Sequence, residues 1–481
     1  MASERKRRWT WAAVFLALGA GNTAGQEIMP NQVQFKASID PGVRAESIAS
    51  AEQQRIWDFE QLAALAIANN PTLQQAAAAV AQTQATQLQV GLYPNPQLGY
   101  LRADPSQAGQ SRTDGVFVGQ EFVTSGKRWK SRDVEAQEVA RLRWEYQSQE
   151  RRVLNDVRIR IVELLAAQQT SAMLDDLLRI ADDNLKTTER LREGGSVSQA
   201  DVLQARIQWK TVRVRRIEAD VRLDAAWRQL VNVVGCPYLE RAPIAGELEG
   251  EIPVLDWERT WQRLLTESPQ LRAAETRINH ARSELVREQA QRIPNVSLQV
   301  ISERDHVQGF NTVSTFLAIP VPLFNRNQGN IAHAQADMRE ARSEVRRTQL
   351  ALRDQLSITF QRYETLRRQL EQLAKEIMPD VEANQRLVAA GFRGGEMSML
   401  QLLNAQEAYF TTRLTQLEAL VELRKTEAEI DGLLLTGGLN PAALGTALQS
   451  QPGAGPRQGL LNQLREDSSR QILPPAFQAG P

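Results

Sequence analysis

The chain has 481 residues, and its 57 lysine and arginine residues balance its 57 aspartate and glutamate residues, so its formal net charge is zero. This balance gives no support to a nucleic-acid partner, because nucleic-acid-binding domains carry an excess of positive charge. The length is sufficient for two or three ordinary domains. The single cysteine, Cys236, excludes a disulfide within the chain.

The first residues have the composition of a secretory signal peptide. Four basic residues at 5–8 precede the apolar run "WTWAAVFLALGA" and the small residues "GNTAG". A basic, then apolar, then small-residue order predicts a signal peptide over 1–25 and therefore an exported protein. The apolar run is shorter than the about 20 residues that a membrane-spanning helix needs. Residues 26–56 show no clear period and are predicted to be an N-terminal extension.

The rest of the chain repeats itself at a spacing of about 200 residues. Three pairs of segments match in the same order: "DFEQLAALAIANNPTL" with "DWERTWQRLLTESPQL", "YPNPQL" with "IPNVSL", and "REGGSVSQADVLQA" with "RGGEMSMLQLLNA". They predict two repeats, 57–235 and 257–435, joined by a linker over 236–256. Residues 436–481 are rich in Gly, Pro and Gln and are predicted to form a disordered C-terminal tail.

Each repeat is predicted to contain a helix, a β-hairpin, a very long helix, a Gly-Gly turn and a returning helix. No proline occurs between Gly126 and Arg192, and apolar residues there recur three and four positions apart. That spacing indicates long amphipathic helices of coiled-coil type. The fold class is therefore α+β, mostly α, with two structural repeats.

The hairpins are predicted at about 96–123 and 296–320. In "VSLQVISER" and "TVSTFLAIP", apolar residues alternate with others, which indicates strands with one apolar face. Strands of this length can cross an outer membrane. Four strands cannot close a barrel, and an open sheet edge in lipid would leave backbone N–H and C=O groups without partners. The hairpins therefore require several copies of the chain.

A short joint connects each hairpin to its long helix. In the stretch "IPVPLFNRNQGNIAHAQA", Pro320 and Pro322 end strand pairing, because proline donates no ladder hydrogen bond. Gly329 is expected to let the chain bend into the helix, and Gly126 is expected to do the same in the first repeat. The basic cluster "KRWKSR" (127–132) lies beside this joint, where it either faces lipid headgroups or is solvated.

This pattern resembles the TolC-type outer-membrane efflux protein family over roughly 57–435. The segments that carry the resemblance are "YPNPQL", "TSGKR", "PVPLFNRNQGNI", "REGGSVSQADVLQA" and "GFRGGEMSMLQLLNAQ". The resemblance implies a homotrimer in the outer membrane, with a 12-stranded transmembrane β-barrel and a helical tunnel in the periplasm. "PLFNRNQGNI" is most similar to the metal-efflux branch, which works with RND-type pumps. Implied partners are outer-membrane lipid, a periplasmic membrane-fusion adaptor and an inner-membrane pump of the RND type.

The resemblance also implies roles for the helix tips. Gly194, Gly195, Gly394 and Gly395 correspond to the periplasmic tip turns that meet the adaptor. Relatives often carry two acidic residues, three apart, that ring the pore and bind cations. The matching positions here are Gln401 and Asn404, which are neutral amides, so an acidic gate is not expected from them. Asp201 and Glu396 remain as charged residues near the predicted pore gate.

The function predicted from the sequence is a passive exit duct for small solutes, including heavy-metal cations or drugs. Two alternatives remain open: a type I protein-secretion conduit, and a non-channel periplasmic coiled-coil adaptor. No catalytic triad, paired-carboxylate site or phosphate-binding loop is visible, so neither an enzyme nor a cofactor is expected. His280, His306 and His333 match no metal motif, and Met397 and Met399 are expected to be packing residues rather than metal ligands.

Overall fold

The computed structural model describes residues 56–103, 112–195, 197–394 and 396–440. These residues belong to one unit of the chain, which begins at Ile56. The predicted signal peptide lies outside the described residues. So do nearly all of the predicted N-terminal extension and most of the predicted tail.

The two repeats contain equivalent elements in the same order, except that the long helix of the second is divided by a π-helical turn. The first repeat consists of α1 (Phe59–Asn69), α2 (Pro71–Val90), β1 (Gln97–Ala103), β2 (Thr113–Phe122), α3 (Lys127–Glu193) and α4 (Gln199–Val234). The second consists of α5 (Trp257–Glu267), α6 (Pro269–Ala290), β3 (Val296–Asp305), β4 (Asn311–Ala318), α7 (Gln328–Gln372), a π-helical turn (Leu373–Ile377), α8 (Met378–Arg393) and α9 (Met399–Asp431). This order confirms the predicted duplication and the mostly helical fold.

Equivalent caps start the first helices of both repeats. The Asp58 carboxylate accepts a hydrogen bond from the Gln61 N–H at 2.7 Å, and the Asp256 carboxylate accepts one from the Arg259 N–H at 2.8 Å. Pro71 then begins α2 and Pro269 begins α6. Proline suits this position because the first turn of a helix has no partner for its N–H groups. The repeated sequence frame therefore encodes the same two successive helix starts in each repeat.

The long helix of the second repeat differs from that of the first. Helix α3 runs without a break for 67 residues, whereas a π-helical turn of five residues separates α7 from α8. In this turn the Met378 N–H donates to the Leu373 carbonyl, and Pro379 follows. Pro379 has no N–H to donate to the preceding turn, so the ladder of helical hydrogen bonds is interrupted here.

The main apolar core lies where the first helices of both repeats and the ends of the returning helices pack with the middle of α3 and with α7. Its largest fully buried side chains include Leu62, Leu73, Leu164, Leu230, Leu264, Leu271, Leu356, Tyr363 and Leu423. The linker takes part in this core through Ile244 and Leu248, and Ile244 forms a parallel β-bridge with Trp57. The linker therefore packs against both repeats.

The described C-terminal residues are held against α3. The Asp156 carboxylate accepts hydrogen bonds from the N–H groups of Gly437 and Gly438 at 3.1 and 2.7 Å. The Asn155 amide donates to the Leu435 carbonyl at 2.7 Å. Residues 436–440, which the sequence assigns to the tail, thus belong to the folded unit, while 441–481 lie outside the described residues.

Candidate functional site

The four strands form one antiparallel sheet in the order β1-β2-β3-β4. The strand register aligns Tyr100 with Val116, Leu98 with Val118, Val118 with Val300, and Leu298 with Leu317. One face of the sheet is therefore mostly apolar, although Gln120, Ser302 and Thr315 also lie on it. Its apolar side chains, here called the apolar face, are Leu98, Tyr100, Val116, Val118, Phe122, Val296, Leu298, Val300, Val313 and Leu317. This face confirms the period-two prediction, and it is suited to contact with hydrocarbon.

The outer edges of β1 and β4 have no strand partner among the described residues. Each edge carries a row of backbone N–H and C=O groups that a further strand would pair. No helix in the described ranges is both long enough and apolar enough to cross a membrane.

At each joint, a residue in the left-handed conformation directly precedes the long helix. Gly126 has φ 62° before α3 and follows Ser125, which is left-handed as well at φ 57°, whereas Asn327 alone has φ 59° before α7. The prediction that Gly329 makes this bend is wrong, because Gly329 lies inside the first turn of α7. Asparagine also tolerates the left-handed region, and the Asn327 side chain donates to the Glu288 carbonyl at 2.8 Å. Pro320 and Pro322 directly follow the end of β4 at Ala318, as expected.

Asn295 connects the two repeats at the joint. Its amide oxygen accepts hydrogen bonds from the Lys127 ammonium at 2.7 Å and from the Thr124 N–H at 3.3 Å. Its amide nitrogen donates to the Glu121 carboxylate at 2.7 Å. The sequence analysis did not single out Asn295. The signal that would have found it is the Pro-Asn pair common to "YPNPQL" and "IPNVSL".

The basic cluster at 127–132 has defined contacts at the joint. Lys127 is buried and bonded to Asn295. The Arg128 guanidinium donates to the Gly91 carbonyl at 2.9 Å and lies 3.1 Å from the centre of the Tyr93 ring. The Lys130 ammonium donates to the Ser125 carbonyl at 2.9 Å. These side chains therefore hold the joint together, which corrects the expectation that they are merely solvated, while contact with lipid headgroups stays a prediction.

The tip turns contain one left-handed glycine among the described residues. Gly194 and Gly394 end α3 and α8 with φ of −77° and −78°, an ordinary right-handed conformation. Gly195 has φ 75° and is the residue that needs glycine. Gly395, its counterpart, lies outside the described residues. In the first repeat, the left-handed residue of the tip turn is therefore the second glycine of the pair.

Both returning helices begin with a capping box. Ser198 and Asp201 exchange hydrogen bonds at the start of α4, with the Ser198 N–H donating to the Asp201 carboxylate at 2.9 Å. Ser398 and Gln401 do the same at the start of α9, with the Ser398 N–H donating to the Gln401 amide oxygen at 2.8 Å. The hydrogen bonds from Ser198 hold the pKa of Asp201 below its usual value. The Ser-x-x-Asp and Ser-x-x-Gln spacings carry this signal in the sequence.

Two of the predicted gate positions, Asp201 and Gln401, are thus equivalent cap residues. Asn404 lies one turn beyond Gln401 on the same exposed side of α9, and Glu396 is exposed in the turn before it. A gate role for these four residues stays a prediction. In a gate, the Gln401 side chain would have to line the pore while it accepts the hydrogen bond from Ser398 that caps α9.

The four helix ends at the tips are packed together. One cluster joins Ala205 of α4 with Met399, Leu402 and Leu403 of α9, and Leu185, Val388, Ala389 and Phe392 pack against it. Farther along, the Asn184 amide donates to the Gln406 amide oxygen at 3.1 Å, and Arg215 pairs with Glu407 at 3.1 Å. These contacts join the α3–α4 helix pair of the first repeat to the α8–α9 helix pair of the second. Met399 is a packing residue within this cluster.

A buried charged cluster lies on α3 where it packs against α6. Arg141 forms ion pairs with Glu138 and Glu145 on its own helix, and His280 of α6 lies nearby. Burial raises the pKa of Glu145 to about 7 despite Arg141, whereas hydrogen bonding and charge from Arg141 outweigh burial and lower the pKa of Glu138. Within the described part of the chain, no group of three or more His, Cys, Asp and Glu residues could hold a metal ion.

Comparison with known proteins places this architecture in a family. A family model described as "Outer membrane efflux protein" matches the chain twice, over residues 62–236 and 260–434. The cobalt-zinc-cadmium resistance protein CzcC of Cupriavidus metallidurans is 24% identical over 402 residues, which are 83% of this chain and 94% of CzcC. The proteases secretion protein PrtF of Dickeya chrysanthemi is 26% identical over 299 residues, which are 58% of this chain and 62% of PrtF.

Solved structures show the same fold. CusC superposes with a TM-score of 0.67 at 18% identity, covering 81% of this chain and 96% of CusC. The outer membrane protein VceC of Vibrio cholerae superposes with a TM-score of 0.62 at 18% identity, covering 79% of this chain and 97% of VceC. The fold of helices and a four-stranded sheet described above is therefore that of solved outer-membrane proteins.

Proposed function

Because the chain belongs to the outer membrane efflux protein family, we propose that it is the outer-membrane channel of a tripartite export system. In this role it is a passive duct: an inner-membrane pump supplies the energy, a periplasmic adaptor bridges the gap, and the duct lets solute out. The chain resides in the outer membrane, with its helices in the periplasm.

The observation that carries this proposal is the apolar face of a sheet whose two edges are open. A lipid-exposed edge is unfavourable because each unpaired backbone group in hydrocarbon costs several kcal/mol. Further copies of the chain would pair both edges, and three copies supply the 12 strands that the family resemblance implies. We therefore propose a homotrimer whose strands form one closed barrel.

An exposed stripe on α4 supports the same assembly. Its apolar side chains are Leu203, Ile207, Val214, Ile217 and Val221, all exposed in the single chain. Their spacing of three, four and seven residues is that of a coiled-coil seam, which needs a facing helix. A neighbouring copy supplies that helix in a trimer. The tip turns would then lie together at one end of the assembly, where the adaptor docks.

The proposed substrate class is divalent metal cations. The support is the similarity to CzcC, a cobalt-zinc-cadmium resistance protein, which extends over most of both chains. The similarity to PrtF, a protease secretion protein, spans only part of each chain and supports protein secretion as the second candidate. A non-channel adaptor is disfavoured because it has no use for the apolar face.

A matched pair of variants tests the membrane role. Val300 lies on the apolar face in the middle of β3, and its neighbour Gln299 lies on the opposite face. An arginine on the lipid side of a barrel at mid-membrane costs about 2–4 kcal/mol. We expect Val300→Arg to reduce the amount of trimer in outer-membrane fractions much more than Gln299→Arg does. Equal amounts of both variants, or a soluble periplasmic monomer as the parent form, would overturn the proposal.

A second experiment separates the substrate classes. A strain lacking the gene should become sensitive to cobalt, zinc or cadmium salts, and the parent gene should restore growth while Val300→Arg should not. Loss of an exported protein without any change in metal tolerance would instead identify the protein-secretion function.

A further inference from the structure

We propose that β4 of one copy pairs with β1 of the next in the register of the chain's own β2–β3 pair, and that Asn95 joins the copies as Asn295 joins the repeats. The inference rests on the proposed homotrimer, because both outer strand edges lack a partner among the described residues of one copy. It adds the register of the seam and a residue that fixes it. The occupant of the open edges is therefore a second copy of this chain.

The two hairpins provide the alignment. In the first hairpin Gln97 lies opposite Gly119, and in the second Ser297 lies opposite Ala318. When the equivalent residues Gln97 and Ser297 are superposed, Gly119 of β2 falls on Ala318 of β4. In a ring built from repeats, β4 meets the next β1 as β2 meets β3. The β2–β3 pair is therefore a template for the contact between copies.

The template fixes the register at the seam. Gly119 lies opposite Gln299 within the chain, and the counterparts of these residues are Ala318 and Gly99. Ala318 thus lies opposite Gly99 of the next copy, and Leu317 lies opposite Tyr100. Leu317 and Tyr100 both belong to the apolar face, so this register continues that face across the seam. A slip by one residue would set apolar side chains against the opposite face.

Asn95 has the place in the first repeat that Asn295 has in the second. Asn295 lies between its proline and the start of β3 and bonds three groups of the preceding joint. Asn95 follows Pro94 in the same way, but it is exposed, and its side chain has no hydrogen-bond partner within the described ranges. The groups that would satisfy it lie on the joint before α7 of the next copy.

That joint presents suitable groups. Counted from the left-handed caps Gly126 and Asn327, the counterparts of Thr124 and Lys127 are Asn325 and Gln328, and both can donate hydrogen bonds. The counterpart of Glu121 is Pro322, which has no side-chain acceptor, so only the donor side of the Asn295 arrangement is repeated. Counted from the aligned residues Gly119 and Ala318 to the left-handed caps, the second joint is two residues longer than the first. It exposes Leu323 and Phe324. Leu92 and Tyr93, which precede β1, are exposed as well. These apolar side chains flank the same seam, where each pair would cover the other.

Engineered cysteines test the register in a Cys236→Ser background. Tyr100→Cys with Leu317→Cys puts two cysteines directly opposite each other, at a separation that a disulfide can bridge. The controls are Tyr100→Cys with Phe316→Cys and Tyr100→Cys with Ala318→Cys, each shifted by one residue. After oxidation with copper phenanthroline in membranes, we expect a reductant-sensitive trimer band for the first pair and a large loss of this band in both controls.

The outcomes distinguish failure of the proposed β4–β1 register from failure of the proposed homotrimer. A stronger trimer band in a shifted pair, or no cross-link in any pair of a particle with trimeric mass, overturns the proposed register and leaves the proposed function standing. A monomeric particle in the membrane overturns the homotrimer itself.

A second measurement concerns Asn95. We expect Asn95→Ala to lower the temperature at which the trimer dissociates in detergent, and to leave the thermal unfolding midpoint of the Tyr100–Leu317 cross-linked trimer, which cannot dissociate, unchanged. An unchanged dissociation temperature would remove Asn95 from the seam. A lower unfolding midpoint of the cross-linked trimer would show that Asn95 acts within its own copy.

Discussion

Replacement of Glu145 by glutamine is expected to change how the stability of the protein depends on pH. The Glu145 side chain is 17% exposed, and its Oε2 atom has no hydrogen-bond partner in the described part of the chain. Burial raises its pKa from 4.5 to about 7, although Arg141 and Arg152 of the same helix oppose the shift and Glu138 adds to it. On the facing helix α6, Arg277 and His280 interact with Glu138 of this cluster.

The direction in which the free energy of unfolding changes with pH follows from the raised pKa of Glu145. Below the unfolded value the carboxyl is neutral in both states, so burial carries no charge penalty. As the pH rises towards 7, the unfolded chain loses the proton first, and the free energy of unfolding falls. At about 1.4 kcal/mol for each pKa unit, the loss is at most about 3.5 kcal/mol. Glu145→Gln removes this loss because its side chain stays neutral.

The assay is the thermal midpoint of the purified protein in detergent, followed by far-ultraviolet circular dichroism. Parent and Glu145→Gln should differ little near about pH 5, and the variant should be more stable by about 1–3 kcal/mol near about pH 8. Glu138→Gln is the matched control. The pKa of Glu138 is lowered, so its charged form stabilises the fold and this variant should lose stability near about pH 8. Parallel pH curves for parent and Glu145→Gln would refute the buried-charge argument.

Three further predictions concern the tips, the gate and the C-terminal segment. Gly195→Val should impair adaptor cross-linking, because a β-branched residue resists φ 75° although no atom lies within 4 Å of the added Cβ; Gly194→Ala, at φ −77°, should not. Equal cross-linking of both variants would exclude a strained tip. Gln401→Asp with Asn404→Asp should make the pore cation-selective and sensitive to divalent ions in planar-bilayer recordings, since Asp201 shows that aspartate also completes the capping box. Unchanged conductance and block would place the gate elsewhere. Asp156→Ala should leave the N–H groups of Gly437 and Gly438 without an acceptor, cost about 1–3 kcal/mol and speed proteolysis near the C-terminus. Cleavage at the parental rate would show that this carboxylate does not hold the segment.

The sequence predicts the features that depend on local periodicity. The stripe along α3 and the alternation in β3 and β4 each specify an element and its buried or apolar side. The repeat adds the order of the elements. The pairing of β2 with β3 joins segments that are far apart in the chain. The alternation alone therefore predicts two hairpins, but it does not predict that they pair in one sheet.

The joints and tips are harder to predict because they depend on single backbone conformations. Glycine is the usual left-handed residue, which made Gly329 the natural candidate, yet Asn327 takes that conformation and is held by Glu288. Asn295 has no unusual local sequence apart from its repeated Pro-Asn pair. Its importance arises from three partners that the fold brings to it from the other repeat.

The π-helical turn and Pro379 make the two repeats mechanically unequal. Helix α3 resists bending along its whole length, because every turn is braced by the next. Between α7 and α8 the regular α-helical hydrogen bonds give way for one turn to the wider π-helical pattern, and Pro379 donates none, so we expect this long helix to bend first at 373–379. The α3–α4 pair of the first repeat is therefore expected to be stiffer than the helices of the second repeat. Displacement of the tips should begin with α8 and α9.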